Sequence, residues 1–291
     1  MKNLNKGGTF PLKPLGLAIL QEVRMNKLIP QIISIAKLAG QAIMEVYADS
    51  ANTAMTKTDN SPLTQADLAS DRVVSEGLEK LRLGWPVLSE ESTQINFDQR
   101  KSWKRFWLVD PLDGTKEFVK RNGEFTVNIA LIESGVPILG VVYAPVLDVC
   151  YYGVHGASAF KIVGSSVPHL IAVKQHIAGE AIKVVASRSH SDAHTQALLA
   201  KMGDYDCISM GSSLKLCLVA EGTAHFYPRL GPTMEWDTAA AHAVVSAAGG
   251  VVNDSEGNEL TYNKTDLHNP EFFVFASLDK ELQKLIKDFN E

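Results

Sequence analysis

Apolar residues recur along this chain with two different spacings, which predict alternating helices and strands. Between residues 28 and 46 they follow the helical period, which predicts an amphipathic helix. The same period predicts further helices at 64–83, 191–202, 212–221, 237–248 and 278–289. Short apolar runs bounded by turn residues predict strands at 86–88, 106–109, 125–132, 138–144, 183–186 and 272–276. The alternation predicts an α/β protein in which helices cover layered sheets.

Composition and charge exclude several classes of protein. The 291 residues are 45% hydrophobic and 21% charged, which is typical of globular proteins and excludes disordered, collagen-like and coiled-coil chains. The formal net charge of −5 leaves no overall basic field for a nucleic acid polymer. An anionic substrate must therefore be held by local positive charge or by metal. No apolar run reaches the roughly 18 residues that span a bilayer, so no transmembrane segment is expected.

The three cysteines, Cys150, Cys207 and Cys217, lack a C-x-x-C spacing. Their odd number argues against a disulfide scaffold and favours a reducing compartment, here the cytoplasm, with each cysteine buried as a small apolar residue. At the N-terminus, three lysines precede an apolar run at 15–20 that is too short for a signal peptide. We expect residues 1–24 to be a disordered extension, or the product of an upstream start codon with Met25 as the true start.

Two carboxylates stand three residues apart directly after a predicted buried strand, in the string D-P-L-D-G-T that begins at Asp110. Proline at position 111 cannot extend the strand, so the turn can aim Asp110, Asp113 and the Leu112 carbonyl at one point. Three oxygen ligands suit Mg²⁺ rather than zinc. Gly114 lets backbone approach a ligand, and Thr115 begins a short predicted helix whose N–H groups can hold phosphate. An ordinary Asp-Pro turn is the alternative.

Two further acidic positions strengthen the metal interpretation. Glu90 follows the predicted strand at 86–88, and Asp237 begins an alanine-rich predicted helix. Taken alone, Glu90 is explained as a solvated charge and Asp237 as a helix N-cap. Together with Asp110 and Asp113 they supply four carboxylates from three separate segments, which is enough for a site with two or more metal ions.

The strings around these residues resemble a known family. D-P-L-D-G-T after an apolar strand, S-E-E upstream and W-D-T-A-A-A downstream resemble the Mg²⁺-dependent, Li⁺-sensitive inositol monophosphatase superfamily. N-S-P-L-T-Q-A-D, S-R-S-H, G-S-S-L-K-L-C-L-V-A-E-G and Y-P-R-L-G-P-T are similar to strings of its bacterial CysQ-type 3'(2'),5'-bisphosphate nucleotidases. The resemblance covers about residues 28–275 and implies a layered α/β/α/β/α sandwich. It divides the chain into an N-terminal metal-site lobe, 25–180, and a C-terminal α/β lobe, 181–291, that contributes Asp237 and the nucleotide pocket.

The resemblance also implies metal ligands. Glu90, Asp110 and the Leu112 carbonyl resemble ligands of a first Mg²⁺. Asp110, Asp113 and Asp237 resemble ligands of a second Mg²⁺, with Asp110 bridging the two ions.

The remaining implied roles concern water and substrate. Asp67 and Thr115 are implied to orient and deprotonate the attacking water, and a capping box between Thr64 and Asp67 is compatible with that role. Basic residues and a helix start in three C-terminal segments are implied to hold the nucleoside and its second phosphate. The implied substrate contacts are Glu90, Leu112, Asp113, Gly114, Thr115, His190, Ser212, Lys215, Arg229 and Asp237.

The implied activity is Mg²⁺-dependent removal of the 3'-phosphate of adenosine 3',5'-bisphosphate, which gives AMP, with action on the sulfated relative PAPS as well. This activity belongs to sulfur assimilation and nucleotide recycling. The alternatives are an inositol or fructose bisphosphate phosphatase, and an inactive phosphatase-like binding module, which loss of a metal carboxylate would favour. The location is expected to be the cytoplasm, either free or at the inner face of the membrane, and the oligomeric state is left open.

Overall fold

The computed structural model describes residues 15–49, 62–92, 94–177, 179–187, 193–277 and 280–290. Within these ranges the helices are α1 (Leu15–Asp49), α2 (Pro62–Lys80), α3 (Phe97–Arg100), α4 (Thr115–Val119), α5 (Ala193–Lys201), α6 (Leu214–Ala220), α7 (Glu235–Ala247) and α8 (Lys280–Asn290). The strands are β1 (Val87–Ser89), β2 (Arg105–Asp113), β3 (Thr126–Glu133), β4 (Val136–Ala144), β5 (Val149–Val154), β6 (Ala159–Val163), β7 (His169–Ile171), β8 (Ile182–Ser187), β9 (Tyr205–Met210), β10 (Phe226–Arg229), β11 (Val251–Asp254) and β12 (Phe272–Phe275).

The strands form two sheets. The larger sheet has seven strands in sequence order from β1 to β7, and only the β1–β2 pair in it is parallel. The smaller sheet has five strands in the order β11-β12-β10-β8-β9, with β8 parallel to both of its neighbours. A tight turn at Ser134 and Gly135, both with positive φ, joins β3 to β4 as the sequence predicts.

The layers follow from the alternation of side chains along each strand. On β2, Trp107 and Val109 face the core shared with α1 and α2, whereas Phe106 and Leu108 face the core shared with α6 and α7. The same central core contains residues of the smaller sheet, whose other face packs on α5 and α8. The order of layers is α/β/α/β/α, which confirms the predicted sandwich.

Helix α7 lies unusually close to the larger sheet because the residues between them are small. Gly140 on β4 sits under Ala240, so that an added Cβ would lie 2.0 Å from the Ala240 carbonyl oxygen. Gly153 on β5 meets Val244 and Ala247 in the same way. The alanine-rich sequence of α7 therefore serves close packing between two layers.

Several elements differ from the sequence prediction. Helix α1 begins at Leu15, so residues 15–24 are helical rather than a disordered extension, and Met25 is only 2% exposed in the core beneath the larger sheet. Residues 15–20 include leucine, isoleucine and alanine, which favour a helix. Residues 1–14 lie outside the described ranges. Strand β10 escaped prediction because it contains Pro228, a residue that normally argues against a strand interior.

The cysteines also differ in part from the prediction. Cys150 and Cys217 are buried as expected, whereas Cys207 is exposed on β9. All three are free thiols in the structure. The sequence likewise argued against a disulfide framework.

Candidate active site

The register of the larger sheet brings Glu90 and Asp110 together. In the parallel pair, Ser89 of β1 lies opposite Val109 of β2, and the Glu90 N–H donates to the Val109 carbonyl at 3.1 Å. The residues that follow these two positions, Glu90 and Asp110, therefore leave the sheet at the same edge. A parallel pair is well suited to this purpose, because the carboxyl ends of both strands meet at one edge.

Strand β2 does not stop at Asp110, as the sequence suggested, but continues through a bulge. Asp110 pairs with Asn128 and Asp113 pairs with Thr126, so β2 holds one residue more than β3 across this interval. Pro111 can occupy a bulge because it needs no ladder hydrogen bond there. The Leu112 N–H donates to Asp110 Oδ1 at 3.0 Å, which fixes the buried carboxylate to its own turn.

Helix α2 docks on this bulge with one face. Asp67, Ser70 and Asp71 share that face because of their i, i+3 and i+4 spacing. Ser70 Oγ donates to the Pro111 carbonyl at 2.7 Å, and Ser89 Oγ donates to Asp71 Oδ1 at 2.5 Å. These two bonds tie α2 to β2 and to β1, and Asp67, only 2% exposed, is thereby placed beside the carboxylates.

Ser213, at the start of α6, holds Asp113. Its backbone N–H donates to Asp113 Oδ2 at 2.6 Å, and its Oγ lies 2.7 Å from the same oxygen. Asn128 Nδ2 donates to Ser213 Oγ at 2.7 Å and lies 3.4 Å from Asp113 Oδ2. Ser213 Oγ also lies 2.7 Å from the Asp237 carbonyl, so it links the β2 bulge to α7.

Asp237 occupies the first turn of α7 and is not its N-cap. The helix begins two residues earlier, at Glu235, and Met234 is the N-cap. The Met234 N–H donates to Asp237 Oδ2 at 3.0 Å, so the carboxylate satisfies one N-terminal donor from inside the helix. Glu235 is fully buried and accepts Lys264 Nζ and two backbone N–H groups, which anchors the start of the helix.

Electrostatics show that the five carboxylates are neighbours. Burial raises the pKa of Asp110 well above its usual range, and the negative charges of four other carboxylates raise it further: Glu90, Asp113, Asp237 and Asp67. Burial, Asp113 and Glu90 also raise the pKa of Asp237 to about 8, although the Met234 N–H opposes that shift. Among the described residues, no group of three or more His, Cys, Asp or Glu side chains is arranged so that it could hold a metal ion as it stands. The site is thus a group of mutually repelling carboxylates, which a divalent cation would neutralise.

A cavity of about 60 Å³ connects this group to the predicted substrate residues. Asp113 and Asp237 line it together with Ser212, Lys215 and Arg229. The other lining residues are Ser213, Leu216, Tyr227, Thr233, Thr238 and Phe272. The structure therefore brings two candidate metal ligands and two cations to one cavity.

The two cations are held by their own surroundings. Lys215 is buried, its Nζ donates to the Ser212 carbonyl at 2.6 Å, and burial lowers its pKa to about 8. Arg229, at the end of β10, donates to the Pro232 carbonyl at 3.0 Å. The buried Ser212 Oγ and Arg229 Nε have no hydrogen-bond partner among the described residues. Both residues line the cavity.

The predicted backbone donors before α6 serve the protein itself. The Gly211 N–H donates to Glu124 Oε2 at 2.8 Å, and the Ser213 N–H donates to Asp113, so neither is left for phosphate. Gly114 has a φ of 95°, and an added Cβ would lie 3.2 Å from Ser212 Cβ and from the backbone of 124–125. Glycine at 114 thus serves a left-handed turn and close packing.

Thr115 is half-buried at the start of α4, which packs against α2. The Leu112 side chain is buried in the core beneath the larger sheet. His190 lies outside the described residues, as does the Thr64 side chain of the predicted capping box.

Sequence reasoning missed the residues that position the carboxylates. These are Ser70, Thr126, Asn128 and Ser213. Ser213 had a signal, because serine is common at the start of a helix, and the observed helix α6 begins directly after it. Thr126 and Asn128 had none beyond their polarity in an apolar strand, and their proximity to Asp113 depends on the antiparallel register.

Comparisons with known proteins show the family to which the chain belongs. A family model described as the inositol monophosphatase family matches residues 24–291. The chain belongs to the inositol monophosphatase family. This match leaves out the first 23 residues, close to the boundary that the sequence predicts.

Individual relatives in this family are highly similar to the chain. The 3'(2'),5'-bisphosphate nucleotidase CysQ of Shigella flexneri is 50% identical over 249 residues, which cover 85% of this chain and 99% of that protein. The protein of the same name from Escherichia coli strain K12 is 49% identical over 249 residues, with the same coverage. The crystal structure of CysQ from Bacteroides thetaiotaomicron, a bacterial member of the family, superposes with a TM-score of 0.77 at 41% identity. The superposed region covers 86% of this chain and 97% of the CysQ chain.

Within the described residues, no helix is long and apolar enough to cross a membrane.

Proposed function

We propose that this chain is a Mg²⁺-dependent phosphatase that removes the 3'-phosphate of adenosine 3',5'-bisphosphate and leaves AMP. The observation that carries the proposal is the cavity that Asp113 and Asp237 share with Lys215 and Arg229. In this proposal, the phosphate that is cleaved faces the carboxylates, and the phosphate that stays faces the two cations, with the rest of the nucleotide outside this cavity. The relatives named 3'(2'),5'-bisphosphate nucleotidase CysQ, at 49–50% identity over most of the chain, support the same substrate class.

The residues present fit Mg²⁺. Four carboxylates lie close enough to raise the pKa of Asp110, and hard oxygen donors are the ligands that Mg²⁺ prefers. We assign Glu90, Asp110 and the Leu112 carbonyl to one ion, and Asp110, Asp113 and Asp237 to a second. When bound, the ions neutralise charge on the phosphoryl oxygens and lower the pKa of the attacking water.

Asp67 and Thr115 are the proposed pair for the attacking water. Thr115 follows Asp113 by two residues, and Asp67 is buried on the face of α2 that docks on the same bulge. A neutral threonine is a poor base unless its own proton has an acceptor. In the proposed pair, Asp67 takes the hydrogen bond of the Thr115 hydroxyl, and Thr115 accepts from the water and orients it.

Lys215 and Arg229 are the proposed partners of the second phosphate. Arginine binds phosphate through paired N–H donors, and a buried lysine adds a point charge. The Ser212 hydroxyl, which has no partner among the described residues, is a further donor to the nucleotide. We also assign substrate contacts to Gly114 and His190, and we extend the proposal to PAPS, which carries the same 3'-phosphate, and to a role in sulfur assimilation.

Comparative hydrolysis tests the proposal. Purified protein should release phosphate from adenosine 3',5'-bisphosphate much faster than from inositol 1-phosphate or fructose 1,6-bisphosphate, only with Mg²⁺, and with inhibition by Li⁺. Faster turnover of an inositol or fructose phosphate would favour the alternative phosphatase activity. Nucleotide binding without hydrolysis of any of these esters would favour an inactive binding module.

The same proposal places the protein in the cytoplasm, where its nucleotide substrate would be formed and consumed. Fractionation of cells that express the chain tests this location. Recovery with the membrane fraction would favour attachment at the inner face of the membrane instead.

A further inference from the structure

A chain of buried hydrogen bonds runs from the surface to the candidate site. Glu259 Oε1 lies 3.3 Å from His242 Nε2, and His242 Nδ1 lies 2.8 Å from the Tyr262 hydroxyl. The Tyr262 hydroxyl lies 3.3 Å from Thr238 Oγ1, and Asn269 Nδ2 donates to Thr238 Oγ1 at 3.1 Å. Glu259 is more than half exposed, His242 is fully buried, and Thr238 lines the cavity.

The chain has one consistent direction. A carboxylate only accepts, so the His242 proton belongs on Nε2 and points at Glu259. His242 Nδ1 then accepts from the Tyr262 hydroxyl, and the single Thr238 hydroxyl proton is shared between the Tyr262 oxygen at 3.3 Å and the Glu235 carbonyl at 3.2 Å. Burial lowers the pKa of His242, which agrees with a neutral ring. The Tyr262 and His242 donors therefore point away from the cavity and toward Glu259.

The inner end of this chain fixes the first turn of α7. Asn269 Nδ2 also donates to the Met234 carbonyl at 2.7 Å, and Thr238 Oγ1 lies 3.2 Å from the Glu235 carbonyl. The Met234 N–H in turn donates to the Asp237 carboxylate. Asn269, from outside α7, and Thr238 thus hold the backbone of Met234 and Glu235, which lie just before Asp237 at the start of the helix.

We propose that Tyr262 and His242 are positioning residues for the Asp237 carboxylate, acting through Thr238 and the first turn of α7. The role of Asp237 as a ligand rests on the proposed function, but the effect on its position does not. Hydrogen-bonded residues behind a metal ligand set its orientation, and their loss typically costs about 10- to 100-fold in metal affinity or activity.

Tyr262→Phe is the decisive variant because it removes one buried oxygen and keeps the ring. Tyr151→Phe is a matched control. Both tyrosines are 3% exposed in the same core, and the Tyr151 hydroxyl donates to Glu221 Oε2 at 2.8 Å, away from the cavity. Tyr262→Phe should lose more melting temperature than Tyr151→Phe, because it removes the hydroxyl that faces the buried His242 Nδ1, whereas Glu221 Oε2 keeps Lys161 Nζ at 2.6 Å.

Metal binding and kinetics then separate the two variants. By titration calorimetry, Mg²⁺ should bind about tenfold more weakly to Tyr262→Phe than to Tyr151→Phe. In the assay, Tyr262→Phe should need more Mg²⁺ for half-maximal activity and should lower kcat, with little change in KM. Equal Mg²⁺ affinity in the two variants would overturn the proposal, and both tyrosines would then be structural only.

Thr238→Val tests the path. It keeps the shape of the side chain and removes the hydroxyl that links Tyr262 to the first turn of α7. Because both residues act through one chain, the Mg²⁺ affinity of the double variant should be close to that of the weaker single variant. Fully multiplicative losses would contradict the path.

If the parent protein hydrolysed no phosphate ester, the proposed function would fail, while the calorimetric comparison would still decide the positioning role.

Discussion

The carboxylates of the cavity and its two cations are placed by different parts of the fold. Asp110 and Asp113 belong to one buried strand, whose backbone is fixed by its ladder, its bulge and the Ser70 hydrogen bond to Pro111. Ser213 donates to the Asp113 carboxylate. Lys215 and Arg229 come from α6 and from the end of β10, next to the smaller sheet. One bulged turn therefore holds Asp110 and Asp113 on the metal side of the site, and Glu90 and Asp237 join them from the end of β1 and from α7. On the phosphate side, Lys215 and Arg229 come from one helix and one strand of the C-terminal half. Chemistry and substrate choice should be separable by mutation.

Asp110→Asn should break the metal side most completely. Asp110 is the proposed bridge between two ions and is 1% exposed, so its loss should reduce turnover by far more than the roughly 100-fold of an outer partner. All substrates should be affected alike. Near-normal Mg²⁺-dependent activity in a folded Asp110→Asn protein would refute the two-ion assignment.

The Asp67–Thr115 pair should give the next largest effect. Asp67→Asn and Thr115→Ala should each lower kcat by about 10²- to 10⁴-fold, the usual contribution of a general base. Mg²⁺ and AMP binding should survive. If the two residues form one unit, the double variant should be little worse than the poorer single variant. Multiplicative losses in kcat would show two independent roles.

Substitutions of Lys215 and Arg229 test the proposed contacts to the second phosphate. Lys215→Met and Arg229→Gln should each remove a charge-assisted contact worth about 1.5–3 kcal/mol, or roughly 10- to 100-fold in kcat/KM. Methionine keeps much of the buried lysine stem beside Tyr227. The loss should fall on adenosine 3',5'-bisphosphate and spare a simple monoester such as p-nitrophenyl phosphate. An equal loss on both substrates would mean that the two cations act on the phosphate that is cleaved.

The repelling carboxylates predict a pH effect on stability without metal. The pKa of Asp237 is raised to about 8 in the folded protein, against about 3.9 in the unfolded chain. Between these values the folded state binds more protons than the unfolded state, so the Asp237 contribution to the free energy of unfolding falls as pH rises. In EDTA, Asp237→Asn should therefore gain melting temperature relative to the parent between about pH 5 and pH 8. A constant difference would contradict the shift.

Removal of the first 24 residues should have the smallest effect. Met25 is buried against the core, and the family match begins at residue 24. A protein that starts at Met25 should keep the kcat and the melting temperature of the full chain. A clear fall in melting temperature would mean that the first turns of α1 pack on the fold.

The clustering of Asp110, Leu112 and Asp113 could be predicted from the sequence, for a physical reason. Asp110, Leu112 and Asp113 lie within four residues, so one turn determines their relation. Glu90 and Asp237 needed a resemblance, because sequence alone also explains them as a surface charge and a cap. The position of Asp237 was in fact misjudged by two residues, since Glu235 supplies the helix start without a typical capping residue.

The supports of the site could not be predicted in the same way. Ser213 contacts Asp113 across 100 residues of sequence, and Asn128 reaches both through the antiparallel register. Backbone donors before α6 looked available to phosphate, but Glu124 and Asp113 take two of them. Such contacts depend on how layers stack, which periodicity does not specify.

The bare backbone of Gly140 has a consequence for ion size. Its missing methyl group lets α7 rest on the larger sheet at Ala240, three residues after Asp237. Any side chain at 140 would lift the helix, and the Asp237 carboxylate would rise with it from the edge that carries Asp110. A wider gap favours a larger cation, because ligand spacing selects between Mg²⁺ and Ca²⁺. Glycine at 140 is therefore expected to influence which divalent cation the carboxylates bind, although it lies at the contact between α7 and the larger sheet.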